Sequence, residues 1–175
     1  MIEKITPIYT GRVLQLNVER VQLPNGTVAD LEIARHPGGA AIVAVDDQRR
    51  VCMLHQFRHA ADGWIWELPP GKIDNREPPL NTAQRELAEE GGMHATRWES
   101  LGHMLSSPGV FTEVVHLFYA SQLTATPMSP EEHEVFKVEW RPFEEVLAMA
   151  YDGQLNDAKS LIGIFRAAPL ILNRR

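Results

Sequence analysis

An α/β or α+β fold, with helices flanking a mixed sheet, is predicted for this 175-residue chain by three observations. Short runs rich in β-branched residues, punctuated by Gly, Pro, Asn and Asp, recur between residues 11 and 140 and read as strands. Among them, Leu80, Ala83, Leu87 and Gly91 repeat at spacings of three and four, the period of a helix with one buried stripe. Two more segments of helical periodicity, 143–151 and 156–168, close the chain.

Taken in order, residues 12–22 are rich in Val and Leu, and Pro24-Asn25-Gly26 is a turn signal that joins them to a second extended segment ending at residue 35. After His36-Pro37-Gly38-Gly39, residues 40–45 and 50–57 flank Asp46-Asp47 as another hairpin. Residues 64–68 form a short strand, which Pro69-Pro70-Gly71 should end because proline cannot donate to a ladder; a loop begins there. Pro78-Pro79 suits the first turn of a helix, and Gly91-Gly92 supplies the residues that close one. Strands are expected at 98–105, 114–120 and 135–140. There is no internal repeat and no low-complexity linker.

Composition narrows the function classes. Hydrophobic residues at 44% and charged residues at 23% are those of a globular domain with a sizeable core. Seventeen Lys and Arg against 23 Asp and Glu give a formal charge of -6 without a basic block, which argues against a nucleic-acid partner. The apolar runs at 40–45 and 167–172 are too short to cross a bilayer, so no membrane partner is expected. The charged, proline-containing amino terminus does not read as a secretory signal, and the single Cys52 reads as a small buried hydrophobe; a cytoplasmic location is expected.

The informative stretch is Arg85-Glu86-Leu87-Ala88-Glu89-Glu90-Gly91-Gly92-Met93. On a helix turning about 100° per residue, Glu86, Glu89 and Glu90 fall within an arc of roughly 100°, beside the apolar stripe. Like charges at this spacing disfavour a helix by about 0.2–0.5 kcal/mol per pair, and acids in a last turn face the negative end of the dipole. A cation that compensates them, such as Mg²⁺ or Mn²⁺ held by oxygen ligands, is one reading. A solvated acidic face is the other.

The wider spacing decides between them. Gly71, five residues, Glu77, seven residues, then the stretch just quoted, spanning 23 residues in all, resembles the complete signature of the Nudix hydrolases. Gly91 stands where relatives often carry threonine, from which only a looser helix end is expected. Outside this box, Gly11-Arg12-Val13, Leu23-Pro24-Asn25-Gly26, His36-Pro37-Gly38, Gln56-Phe57-Arg58, Trp66-Glu67-Leu68-Pro69-Pro70-Gly71 and Ser106-Ser107-Pro108-Gly109 are similar to the ADP-ribose pyrophosphatase and nucleoside diphosphate sugar branch. Val110-Phe111-Thr112-Glu113 departs from the branch's more usual Asp-Glu pair.

The resemblance implies an α/β/α sandwich with a mixed sheet over residues 39–175, preceded by an N-terminal antiparallel β segment over 1–38. It implies metal-dependent cleavage of the diphosphate of ADP-ribose to AMP and ribose 5-phosphate. Hydrolysis of nucleotide sugars such as GDP-mannose or ADP-glucose is the close alternative, and a non-catalytic nucleotide-sensing module the alternative of another class. Glu86 and Glu90 match metal ligands, with Glu89 as further ligand or base; the Pro70 carbonyl faces a metal where Gly71 lets the backbone turn. Arg85 and Glu77 are structural partners within the box, with Gly92 at its end. In the late acidic loop Glu132 is the candidate base, Glu131 its alternative and Glu134 a metal contact. Arg58 is the candidate phosphate clamp, since its fork can pair two oxygens. Glu32 and Pro108 match substrate-side positions. Trp64 and Trp66 could stack on a base but read more readily as core, and His55, His103 and His116 as structural. The resemblance also implies a homodimer in which the N-terminal strands supply part of the neighbour's pocket.

Overall fold

The computed structural model describes residues 1–173. Three antiparallel strands open the chain: β1 (Ile2–Thr10), β2 (Gln15–Gln22) and β3 (Val28–Arg35), in the order β1-β2-β3. The turn at Pro24-Asn25-Gly26 is as expected, with the Asn25 side chain accepting from Thr27 N at 3.0 Å. Strand β1 lies within the N-terminal β segment that the resemblance implies over 1–38, yet no periodicity in residues 2–10 marks it. Every one of its residues is exposed, so it lacks the in-out alternation that marks a strand packed on a core.

The body of the fold begins with β4 (Gly39–Ala44), β5 (Arg50–Arg58), β6 (Gly63–Glu67) and β7 (Pro70–Lys72). Helix α1 (Pro79–Glu89), β8 (Met93–Leu105), β9 (Val114–Ala125), β10 (Phe136–Pro142), α2 (Phe143–Asp152) and α3 (Ala158–Leu172) complete it. One sheet has the order β7-β4-β9-β8, with β4 parallel to β9 and the other pairs antiparallel; a second has the order β10-β5-β6. β4 is buried at every position, as an apolar run flanked on both faces requires.

Alternate side chains of β4 feed two cores. Ile42 and Ala44 pack with Cys52, Ala120 and the Ala83 and Leu87 face of α1. Val43 and Val45 pack with Met53, Phe143, Val146 and Met149 of α2, and Ile164, Ala167 and Ile171 of α3. The result is the α/β/α sandwich that the resemblance implied, the N-terminal meander lying outside it. Among the described residues, no helix is long and apolar enough to cross a membrane.

Several boundaries differ for local reasons. Pro70–Lys72, expected as loop, pairs antiparallel with β4; β7 is an edge strand, where a missing proline N–H breaks no ladder. β8 starts at Met93 rather than 98, and β9 runs to Ala125 rather than 120, because the two continue as a ribbon whose polar residues Thr96, Ser121 and Thr124 give no apolar signal. β6 begins a residue early, at Gly63, and β10 runs on to Pro142. α3 begins after the cap Asp157 and passes through Pro169 to Leu172, past the expected end at 168.

Candidate active site

Helix α1 builds the site. Pro79 occupies its first turn, where no backbone N–H is needed, and Gly92, at φ +62°, turns the chain out of it towards β8. Gly91 is buried, and a methyl group there would lie 2.9 Å from Leu87 Cδ1, so its bareness makes room for the core rather than loosening the helix end. The buried face is Thr82, Ala83, Glu86 and Leu87, with Leu80 only partly covered. Glu86 and Glu90 are therefore not part of a solvated acidic face: they are 7% and 1% exposed.

Arg85 organises this ridge. Its Nη1 donates to Glu86 Oε1 at 2.6 Å and to Glu89 Oε2 at 3.1 Å, while Nη2 donates to Glu77 Oε1 at 3.2 Å and to the Lys72 carbonyl at 3.3 Å. Glu77 also accepts from Thr82 Oγ1 at 2.8 Å. Burial opposes the charge of both Arg85 and Glu77. The charge of Glu86 and the hydrogen bonds to Glu77, Glu86 and Glu89 outweigh it for Arg85 and raise the guanidinium's pKa, while the bonds from Thr82 and Arg85 outweigh it for Glu77 and lower the carboxyl's. Gly71, expected to be glycine for a backbone turn, is not at positive φ; space is its reason, since a Cβ there would sit within 2.1 Å of three Glu86 side-chain atoms. The Glu86 carboxylate occupies the space that Gly71 leaves open.

The remaining carboxyls are under strain of another kind. Burial, chiefly, pushes the Glu86 carboxyl up to about 7, against the pull of Arg85, with Glu89 and Glu134 adding to the rise. Burial and the fields of Glu86, Glu134 and Glu67 push Glu90 up to about 9, against Arg58. Glu90 Oε2 is buried without a hydrogen-bond partner among the described residues. An oxygen-only donor set with an orphaned buried oxygen fits a hard divalent cation. Among the described residues no three acidic, histidine or cysteine side chains already converge as a closed cage.

The ridge lines a cavity of about 700 Å³ with Pro70, Gly71, Arg58, Glu131, His133 and Glu134 among its walls. Arg58, from the end of β5, donates Nε to Glu67 Oε1 at 2.7 Å. Burial opposes its charge, and the bond to Glu67 raises its pKa despite this. In the late loop, Glu131 N donates to Glu134 Oε2 at 2.8 Å and Glu134 N to the Glu131 carbonyl at 3.0 Å. That turn sets Glu131 and Glu134 on the cavity, while Glu132, the expected base, lies outside the lining.

Two expected substrate-side residues also stand away. Glu32 is exposed on β3, paired across to Val18, in a meander of which only Arg12, Val13 and the following His36 reach the cavity. Pro108 is exposed at the tip of a turn closed by Phe111 N and Val110 N on the Ser107 carbonyl, whereas Ser106 and Glu113 at the loop's ends line the cavity. Neither tryptophan lines it. Trp64 is 47% exposed rather than core, and Trp66 is stacked by His55 at 4.5 Å and covered by Arg141 at 4.2 Å.

Glu67, Asp157, Lys159 and His36 were missed as site residues. Glu67 had a signal: an acid inside the apolar run Trp64-Ile65-Trp66-Glu67-Leu68 must be paired once that strand is buried. Lys159 had none, since its partner is 92 positions away.

The profile of the NUDIX domain family matches residues 35–161. An ADP-ribose pyrophosphatase of Bacillus subtilis (strain 168) is 37% identical over 159 residues, 90% of this chain and 86% of the relative. An ADP-ribose pyrophosphatase of Mycobacterium tuberculosis (strain ATCC 25618 / H37Rv) is 32% identical, covering 90% of this chain and 77% of the relative. A crystal structure of an ADP compounds hydrolase superposes with a TM-score of 0.83 at 18% identity, over 98% of this chain and 94% of that one, a likeness of fold.

Proposed function

The chain belongs to the NUDIX family of hydrolases, and from that premise we propose that it splits the diphosphate of ADP-ribose to give AMP and ribose 5-phosphate in a reaction that depends on Mg²⁺. The observation that carries this reading is the acidic ridge of Glu86, Glu89 and Glu90, two of its three carboxylates buried, which shares one cavity with Arg58, Glu131 and Glu134. The two relatives described above, named for ADP-ribose, support the choice of substrate.

The carboxylates of Glu86, Glu89 and Glu90, with Glu134 and the Pro70 carbonyl, are the groups that would hold the metal. When bound, it supplies positive charge to the phosphate oxygens and lowers the pKa of a bound water. Arg85 holds Glu86 and Glu89 at fixed angles, so the ridge needs little rearrangement during the reaction. Arg58 pairs the non-bridging oxygens of the diphosphate. Water adds to one phosphorus, the P–O bond to the bridging oxygen breaks, and the water's proton passes to a loop carboxylate. We assign that role to Glu131, which lines the cavity, in place of Glu132. The fully exposed β1, with Ile2, Ile5 and Ile8 at its surface, supports pairing across a homodimer, and the buried, unpaired Cys52 suits a cytoplasmic location.

The test is a hydrolysis panel of ADP-ribose, GDP-mannose and ADP-glucose with and without Mg²⁺, with products identified in ¹⁸O-labelled water. ADP-ribose should be turned over fastest, yielding AMP and ribose 5-phosphate only with metal. Faster cleavage of either nucleotide sugar would overturn the choice of substrate.

A further inference from the structure

Glu67 is fully buried at the end of β6, and its two oxygens are divided between two cations. Arg58 donates Nε to Oε1 at 2.7 Å, and Lys159 donates Nζ to Oε2 at 2.5 Å. Lys159 is held in turn by the cap of α3. Its Nζ donates to Asp157 Oδ1 at 2.9 Å, and Asp157 Oδ2 accepts from Ser160 N at 3.0 Å and Ser160 Oγ at 2.5 Å. Ser160 Oγ accepts from Leu68 N at 2.8 Å, which returns the chain of bonds to the residue after Glu67. The ring is closed, and Arg58 hangs from it by one nitrogen.

A guanidinium beside an unoccupied carboxylate closes on it with two parallel bonds. Here the second oxygen is already taken, and among the described residues Arg58 Nη1 and Nη2 make no hydrogen bond. Both side chains line the cavity, and that of Arg58 is 41% exposed against 17% for Lys159, so the arginine offers a ligand the larger surface.

We propose that Lys159 is a positioning residue: by occupying Glu67 Oε2 it keeps Arg58 in a one-point attachment, leaving both terminal nitrogens for the diphosphate oxygens of the substrate. This rests on the reading of Arg58 as the phosphate clamp. Without Lys159, Glu67 draws Arg58 into a two-point pair and the clamp is spent inside the protein.

The experiment combines steady-state kinetics on ADP-ribose at saturating Mg²⁺ with calorimetric binding of its methylene-bridged, non-hydrolysable analogue. Lys159→Met should raise KM and weaken analogue binding by about tenfold or more, with kcat within about threefold, the pattern of lost uniform binding. Lys159→Arg should stay near wild type. In the Glu67→Gln background, where a neutral amide cannot draw in both arms, removing Lys159 should change KM by less than about threefold. That comparison holds even if the single Lys159→Met variant fails to fold. A Lys159→Met protein with wild-type KM overturns the inference, as does an undiminished Lys159→Met penalty in the Glu67→Gln background, which would make Lys159 a direct substrate contact. Arg58→Ala separates the two levels. If it leaves KM unchanged, the clamp reading itself fails; if it raises KM while Lys159→Met is silent, only the positioning role fails.

Discussion

Glu90 concentrates the energetic conflict of the site: a carboxyl almost wholly withdrawn from water, one oxygen unpaired, facing three other acids. Its folded-state pKa, raised to about 9 from an ordinary 4.5, means that the metal-free folded protein keeps a proton which the unfolded chain releases. The associated stability is fully present below about 4.5 and is lost as pH rises through about 9; Glu86, raised to about 7, adds in the same direction. Metal-free protein should therefore melt at progressively lower temperature from pH 5 to 9. Adding Mg²⁺ should offset the decline, because a cation favours the deprotonated ligands. Thermal melts across that range check this, and Glu90→Gln, which mimics the neutral acid, should flatten the metal-free curve. In turnover assays Glu86→Gln or Glu90→Gln should lose about a thousandfold or more while staying folded, since each removes a ligand charge. Wild-type rates in Glu90→Gln would refute the site.

At the scale of elements, the contact between β7 and α1 fixes the ridge. Because the Glu86 carboxylate fills the space over Gly71, Gly71→Ala should displace that carboxylate, cutting kcat at least about tenfold and destabilising the fold by about 1–3 kcal/mol, as overpacking does. Circular dichroism melts and kinetics would read both. The same pair shows what was legible. The spacing from Gly71 to Glu77 to Arg85 was plain in the sequence, and so was the acidic edge of α1. The reason for the glycine was not, because it is a contact between elements rather than a backbone angle. The expected loop at Pro70–Lys72 failed for a related reason: only the presence of β4 as neighbour makes an edge strand of it. Glu132 was indistinguishable from Glu131 in a run of acids, and the turn that separates them is set by hydrogen bonds of Glu134.

At the scale of the whole molecule, a mixed sheet flanked by helices followed from strand and helix periodicities and the sandwich from the family resemblance, while periodicity left β1 unmarked because a strand with no buried face carries no alternation. That exposed strand makes a separate prediction. Removing residues 1–10 should shift the proposed dimer to monomer in light scattering and raise KM, with the residues of the sandwich still folded. The meander is not an independent appendage. Ala34 N donates to the Val110 carbonyl, Thr112 N donates to the Ala34 carbonyl, and His36 N bonds Thr112 Oγ1. These bonds fasten the last strand of the meander to the loop whose ends, Ser106 and Glu113, stand at the cavity wall. A pull on the first thirty-five residues is thus a pull on the wall of the cavity, and whatever grips the outer ribbon has a lever on the shape of the space behind it.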